Sequence, residues 1–172
     1  MIWVGRDDPA KGLDILKAAL VKVRKNLPAL KAELVTGGRL NDLELIKAYK
    51  KSILFCLPSL ADAQPITLLE AWAAHLPVVV TRVGENETMV QNGVNGYLVD
   101  PGNAQQLAGA INKILKNPKK ANRMGEAGYT LVKKQYTWKM VTQKTFNLYQ
   151  QVLGAEAVVS GPVASQNIQS FS

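Results

Sequence analysis

The chain has 172 residues, 47% hydrophobic and 20% charged, which is the make-up of a globular domain with its own core. No apolar run approaches the roughly 20 residues of a membrane-crossing helix, and one cysteine with one histidine can form neither an internal disulfide nor a Cys/His zinc site. The net charge of +8 points to anionic partners, but the lysines are spread over several helices without interleaved aromatics. That pattern speaks for solvated helix faces and against a nucleic-acid groove, with phosphates or lipid surfaces as secondary partners.

The opening MIWVGRDD lacks a basic start and a cleavage-site pattern, so no signal peptide is expected. Ile2-Trp3-Val4 reads as a short strand ending at Gly5. Leu13, Leu16, Ala19, Leu20 and Val23 recur at helical spacing, and Pro28 ends that helix. Residues 32–35 form the next strand, broken by Gly37-Gly38, and a helix carrying Leu43, Ile46, Ala48 and Tyr49 follows. The apolar run 53–57 is sized for a buried strand, with Cys56 as an inert core residue. A helix opens near Pro65, since proline has no N–H to lose in a first turn. Val78-Val79-Val80 is another strand, then come a short helix around 87–91 and a strand at 97–99. From Asp100 onward the pattern is helical, with a last helix N-capped by Thr137. Strands alternating with helices predict an α/β fold, a Rossmann-like parallel sheet with helices on both faces, over residues 1–154. The charge-poor run 155–172 reads as a flexible tail.

Three passages carry chemistry. LPSLADAQPITLLEAWAAHLPVVVT (57–81) runs strand, loop, helix, strand, with Asp62 in the loop and Glu70 on the helix. In open α/β sheets ligands bind at that edge, and the free amides of a helix start favour an anion. GRDDPAKG (5–12) sets Arg6 and Lys11 at a second strand end beside a helix start, where a fork and a point charge can hold a pyrophosphate. The third passage is Gly84 with Glu87, then VQNGVNGYLVDPGN (90–103), a run of turn dipeptides. Each alone is also explained as capping, a surface ion pair or folding turns.

In this order, GRDDPAKG, LVTGG, LPSL, the acid pair around LLEA, LPVVVTRVG, NGVNGYLVDPGN and YTW resemble the C-terminal half of glycosyltransferase family 4. These are retaining enzymes of the GT-B fold. The resemblance covers most of residues 1–153 and implies a donor-binding half that takes a nucleoside diphosphate sugar of the UDP or GDP type. It implies that Arg6 and Lys11 hold the diphosphate together with the amides of Ile66 and Thr67. Glu70 would bond the ribose hydroxyls, and Asp62 would meet the donor sugar, the two acids forming the catalytic pair. Neither a metal nor a cofactor is implied. The acceptor, a saccharide or lipid, would come through an N-terminal domain or a partner subunit, in the cytoplasm and with peripheral membrane contact.

The match departs from the family in several places. The other GT-B domain is missing, and residues 38–45 are too short for the extra helix and strand of relatives, whose following loop touches the base. Asp62 stands for glutamate. Pro65 and His75 stand for glycines, and Glu85 occupies a loop position that is often glycine. The missing segment, Pro65 and Asp62 support an alternative, a degenerate nucleotide-binding or partner-docking module without catalysis. His75 reads as an adapted turn residue at positive φ, not as a catalytic base.

Overall fold

The computed structural model describes residues 1–153, so the tail expected over 155–172 lies outside the described residues. Met1–Lys134 forms one compact unit, and a second begins at Gln135. Within the second, α7 (Trp138–Leu153) is described, and Thr137 Oγ1 accepts the Met140 amide at 3.3 Å, the cap expected of it.

The first unit is built on a five-stranded sheet in the order β2-β1-β3-β4-β5, every pair parallel. The strands are β1 (Ile2–Gly5), β2 (Glu33–Thr36), β3 (Phe55–Leu57), β4 (Val78–Thr81) and β5 (Gly96–Val99). They alternate with α1 (Leu13–Arg24), α2 (Asp42–Lys51), α3 (Ile66–Ala73) and the single turn α4 (Asn86–Met89). After β5 come α5 (Ala104–Leu115) and α6 (Pro118–Gln135). β3 and β4 are buried throughout because both faces are covered, which is why they read as continuous apolar runs.

Right-handed crossovers place α1 on one face and α2 and α3 on the other, because the strand order reverses after β2. α1 and α5 lie side by side, burying Leu16, Leu20 and Val23 with Leu107, Ile111 and Ile114. Each such side chain contributes about 2 kcal/mol by leaving water. On the opposite face α3 sets Leu68, Ala71 and Trp72 under β3 and β4. The Trp72 indole N–H donates to the Asn95 carbonyl at 3.0 Å. Asn95 and Asn92 tie down the turn-rich segment: Asn95 Oδ1 accepts the Gln91 amide and Asn92 Oδ1 the Leu98 amide.

Several boundaries differ from the sequence reading, most by one or two residues, and three have a clear local cause. β3 starts at Phe55, because Ile53 precedes every residue that Ile2 and Val78 can pair, and Ile53 is 55% exposed. α1 stops at Arg24, before Pro28, with the Asn26 and Leu27 amides folding back on the Val23 carbonyl. Pro65 takes the N-cap position of α3, with φ −77° and ψ 111°, so Ile66 is the first helical residue.

α2 follows β2 after the loop 37–41 with no strand between them, which leaves β2 at the sheet edge. His75 closes α3 in a left-handed conformation, φ 58°. Its amide bonds the Trp72 carbonyl and that of Leu76 bonds Ala71, the double closure of a Schellman motif. Its ring stacks on Tyr129 at 3.9 Å, and Nδ1 lies 2.7 Å from Glu126 Oε1. All of this lies at the N-terminal edge of the sheet.

Candidate functional site

The order β2-β1-β3 makes β1 the point where the chain winds first one way and then the other. The loops leaving β1 and β3 diverge to opposite faces and open a crevice at their C-terminal ends. Three loops shape it. In the first, Asp8 Oδ1 accepts the Ala10 amide at 2.8 Å, forming a 3-10 turn over Pro9–Lys11 that closes on Gly12. Gly12 has φ 66°, and a Cβ there would lie 1.9 Å from the Pro58 carbonyl oxygen, so the first loop crosses the second where only glycine fits. The Leu60 amide completes that crossing by bonding the Ala10 carbonyl at 2.7 Å.

The third loop repeats the device. Gly84 has φ 50° and would carry a Cβ 2.0 Å from the Asp62 carbonyl oxygen, while the Glu85 amide donates to Ala63 at 2.9 Å. The Glu85 carboxylate accepts the Thr88 hydroxyl at 2.9 Å.

These crossings bring Lys11 to Asp62. Lys11 Nζ donates to Asp62 Oδ2 at 2.7 Å, with side chains only 17% and 9% exposed. The Ser59 hydroxyl donates to the same oxygen at 3.3 Å, and Thr81 Oγ1 holds the Ser59 carbonyl at 2.6 Å. Two donors thus fix the aspartate, and Thr81 steadies the second of them. Arg6 is 77% exposed at the rim, 3.7 Å from Asp8.

A cavity of about 330 Å³ lies among Arg6, Lys11, Asp62, Gln64, Ile66 and Thr67. The amides of Ile66 and Thr67, at the start of α3, have no hydrogen-bond partner among the described residues. Two cations and a helix start therefore converge on one concave surface, an arrangement that attracts a polyanion.

Glu70 sits one turn further along α3 and lines a neighbouring groove of about 380 Å³ between α2 and α3, with Leu45, Ile46 and Tyr49. The buried Tyr49 hydroxyl donates to Glu70 Oε2 at 2.8 Å, which leaves Oε1 to accept elsewhere. Burial foremost, then the Glu70 charge, raises the Tyr49 pKa above its ordinary value. The structure therefore brings Arg6, Lys11, Asp62, Ile66 and Thr67 together and sets Glu70 beside them. Sequence reading did not find Tyr49, Ser59 and Thr81 as supports, nor the Lys11–Asp62 pair. Ser59 follows Pro58 at the end of β3, the only local sign that it belongs to the site.

Residues 29–131 match the glycosyl transferases group 1 family. The chain belongs to that family. It is similar to the sucrose synthase of Nitrosomonas europaea, 31% identical over 112 residues, which is 63% of this chain and 14% of that protein. Among solved structures, it resembles the C-terminal domain of a glycosyl transferase group 1 protein from Francisella tularensis, with a TM-score of 0.74 and 21% identity, covering 80% of this chain and 86% of that one. It also resembles Anabaena HepE in complex with UDP-glucose, with a TM-score of 0.74 and 20% identity over 87% of this chain and 48% of that one. The chain spans 14% of that sucrose synthase and 48% of HepE, and it matches one half of the GT-B fold.

Proposed function

We propose that the chain is the donor-binding domain of a retaining glycosyltransferase of family 4. It takes a hexose from a UDP- or GDP-linked sugar and delivers it to a saccharide or lipid acceptor held by a second domain or a partner subunit. The observation that carries this reading is the crevice where Arg6, Lys11 and the free amides of Ile66 and Thr67 face one cavity. HepE was solved with UDP-glucose, which favours the UDP type for a relative of the same fold.

In this reading the diphosphate lies across the start of α3. Lys11 keeps two of its three N–H donors for phosphate oxygens while Asp62 holds the third, and Arg6 closes from the rim. Glu70 accepts the ribose hydroxyls through the oxygen that Tyr49 leaves free. Asp62 faces the sugar. As the glycosidic bond breaks, negative charge grows on the departing diphosphate, and cations with a helix dipole stabilise it more than they stabilise the bound donor. The leaving diphosphate takes the acceptor's proton, as the family resemblance suggests. Side chains offset the diphosphate charge, so neither a metal nor a cofactor is called for. The buried thiol of Cys56 fits work in the reducing cytoplasm.

Calorimetric titration with UDP, GDP and ADP tests the reading. One nucleotide should bind in the micromolar range, and both Arg6→Ala and Glu70→Ala should weaken it severely; silence with all three nucleotides sinks it. A second reading, a non-catalytic docking module, is favoured by the missing strand after β2 and by the lost donor at Pro65. It expects no nucleotide binding and a protein partner instead.

A further inference from the structure

A second organised surface lies at the opposite, N-terminal edge of the sheet. α1, α2, α3 and α5 run down from the C-terminal edge, so their last turns gather there with the loops that lead into the strands. An apolar cleft of about 540 Å³ opens at this edge, walled by Leu27, Leu30, Ile53 and Leu115. Ile53, more than half exposed, also borders an adjoining depression beside Pro77 and Pro118.

Lysines ring this apolar floor. Lys31 and Lys51 line the cleft, Lys50 lines the depression, and Lys116, Lys119 and Lys120 follow directly on Leu115 and Pro118. None of the six lies within ion-pair distance of a carboxylate among the described residues. The acids at this edge are Glu33 and Glu126, and Glu126 is occupied by His75. Other acids, such as Asp8, Asp14, Asp42, Glu44 and Asp100, lie at helix starts and strand ends on the far edge. The unit is therefore polarised, basic at one edge and mixed at the other.

Helix C-termini attract cations, which accounts for Lys50 and Lys51. It does not account for Lys119 and Lys120, which occupy the first turn of α6, where the helix dipole opposes a positive charge. Nor does it account for Lys31, which stands in a loop. Lys113 and Lys120 reach over the ring of Tyr97, at 5.8 Å and 5.4 Å, and Tyr97 lines a separate groove on the β5 side.

We propose that this edge is a docking surface for an anionic lipid bilayer. The lysine heads meet lipid phosphates while their stems, Ile53 and Leu30 settle at the boundary of the acyl chains. Three other occupants fit less well. Protein interfaces are depleted in lysine. A second copy would set like charge against like. A nucleic acid would leave the apolar cleft without a role. No helix among the described residues is long and apolar enough to cross a membrane, so this contact is peripheral. Docked this way, the crevice at the C-terminal edge faces solvent, and lipid contact is independent of nucleotide binding.

Sedimentation of the full chain with phosphatidylcholine vesicles, with and without phosphatidylglycerol, tests the proposal. The chain should pellet with the anionic vesicles and be released by raised salt. Lys119→Ala with Lys120→Ala should weaken binding roughly thirtyfold, the loss expected for two lysines. Ile53→Ser should weaken it without altering the charge, and Lys17→Ala, a lysine paired with Asp14, should leave it unchanged. Each variant should keep the parental melting temperature. Equal pelleting with neutral vesicles, no pelleting, or an equal loss in Lys17→Ala overturns the proposal. So does a DNA duplex that binds more tightly than vesicles and ignores Ile53→Ser, or a dimer in light scattering that Ile53→Ser disperses.

Discussion

Tyr49 commits its hydroxyl to Glu70 from a buried position on α2, two turns below the start of that helix. The bond fixes one carboxylate oxygen and so aims the other. Tyr49→Phe removes the aim without opening a cavity. If Glu70 reads ribose, the variant should bind UDP and 2′-deoxy-UDP nearly alike, whereas the parent should prefer UDP by about 1 kcal/mol, or roughly fivefold. Unchanged preference in calorimetry would remove Tyr49 from this role. The same substitution carries a pH signature. Because the folded state raises the Tyr49 pKa, its contribution is present below the unfolded value and is lost as pH rises beyond it. Urea melts should show stability falling above about pH 10, and less steeply in Tyr49→Phe.

At the scale of elements, the glycines of α6 decide how closely that helix approaches the rest of its unit. A Cβ on Gly128 would lie 2.0 Å from Trp72 Cδ1, and one on Gly125 would lie 1.9 Å from the His75 carbonyl oxygen. Alanine is the better helix former by about 1 kcal/mol. Crowding a packed core costs about 3 kcal/mol. Gly128→Ala should therefore lower stability by about 2 kcal/mol net in urea melts. Gly109 on α5 meets nothing within 4 Å, so the same change there should stabilise by about 1 kcal/mol. If both substitutions shift the melt in the same direction, the close approach of α6 is not the controlling contact.

At the scale of the molecule, the proposed reaction needs an acceptor brought against the crevice. In that proposal the crevice built from three loops of one sheet edge is the donor side, and the chain spans 14% of the sucrose synthase and 48% of HepE. The chain by itself should then bind a donor and transfer little or no sugar. Adding the acceptor-binding domain or subunit should restore transfer in an assay of product from donor and acceptor. Turnover by the purified chain alone would contradict the division of labour proposed between the two halves.

Most of the fold was legible because it rests on local pattern. Apolar runs such as Val78–Thr81 and the helical spacing of Leu16, Leu20 and Val23 each report burial within one element, and their alternation implies a parallel sheet. Loop charges at strand ends, Arg6, Lys11 and Asp62, could be placed on one edge from the same pattern. Their partners could not. Lys11 meets Asp62 across 51 positions of chain and Tyr49 meets Glu70 across 21. Gly12 and Gly84 are required where loops cross, a condition set by the order β2-β1-β3-β4-β5. The gathering of lysines at the lower edge likewise follows from which helix ends the sheet brings together. A sequence window reports what one segment buries against its average surroundings; only the tertiary structure decides which distant side chain stands there.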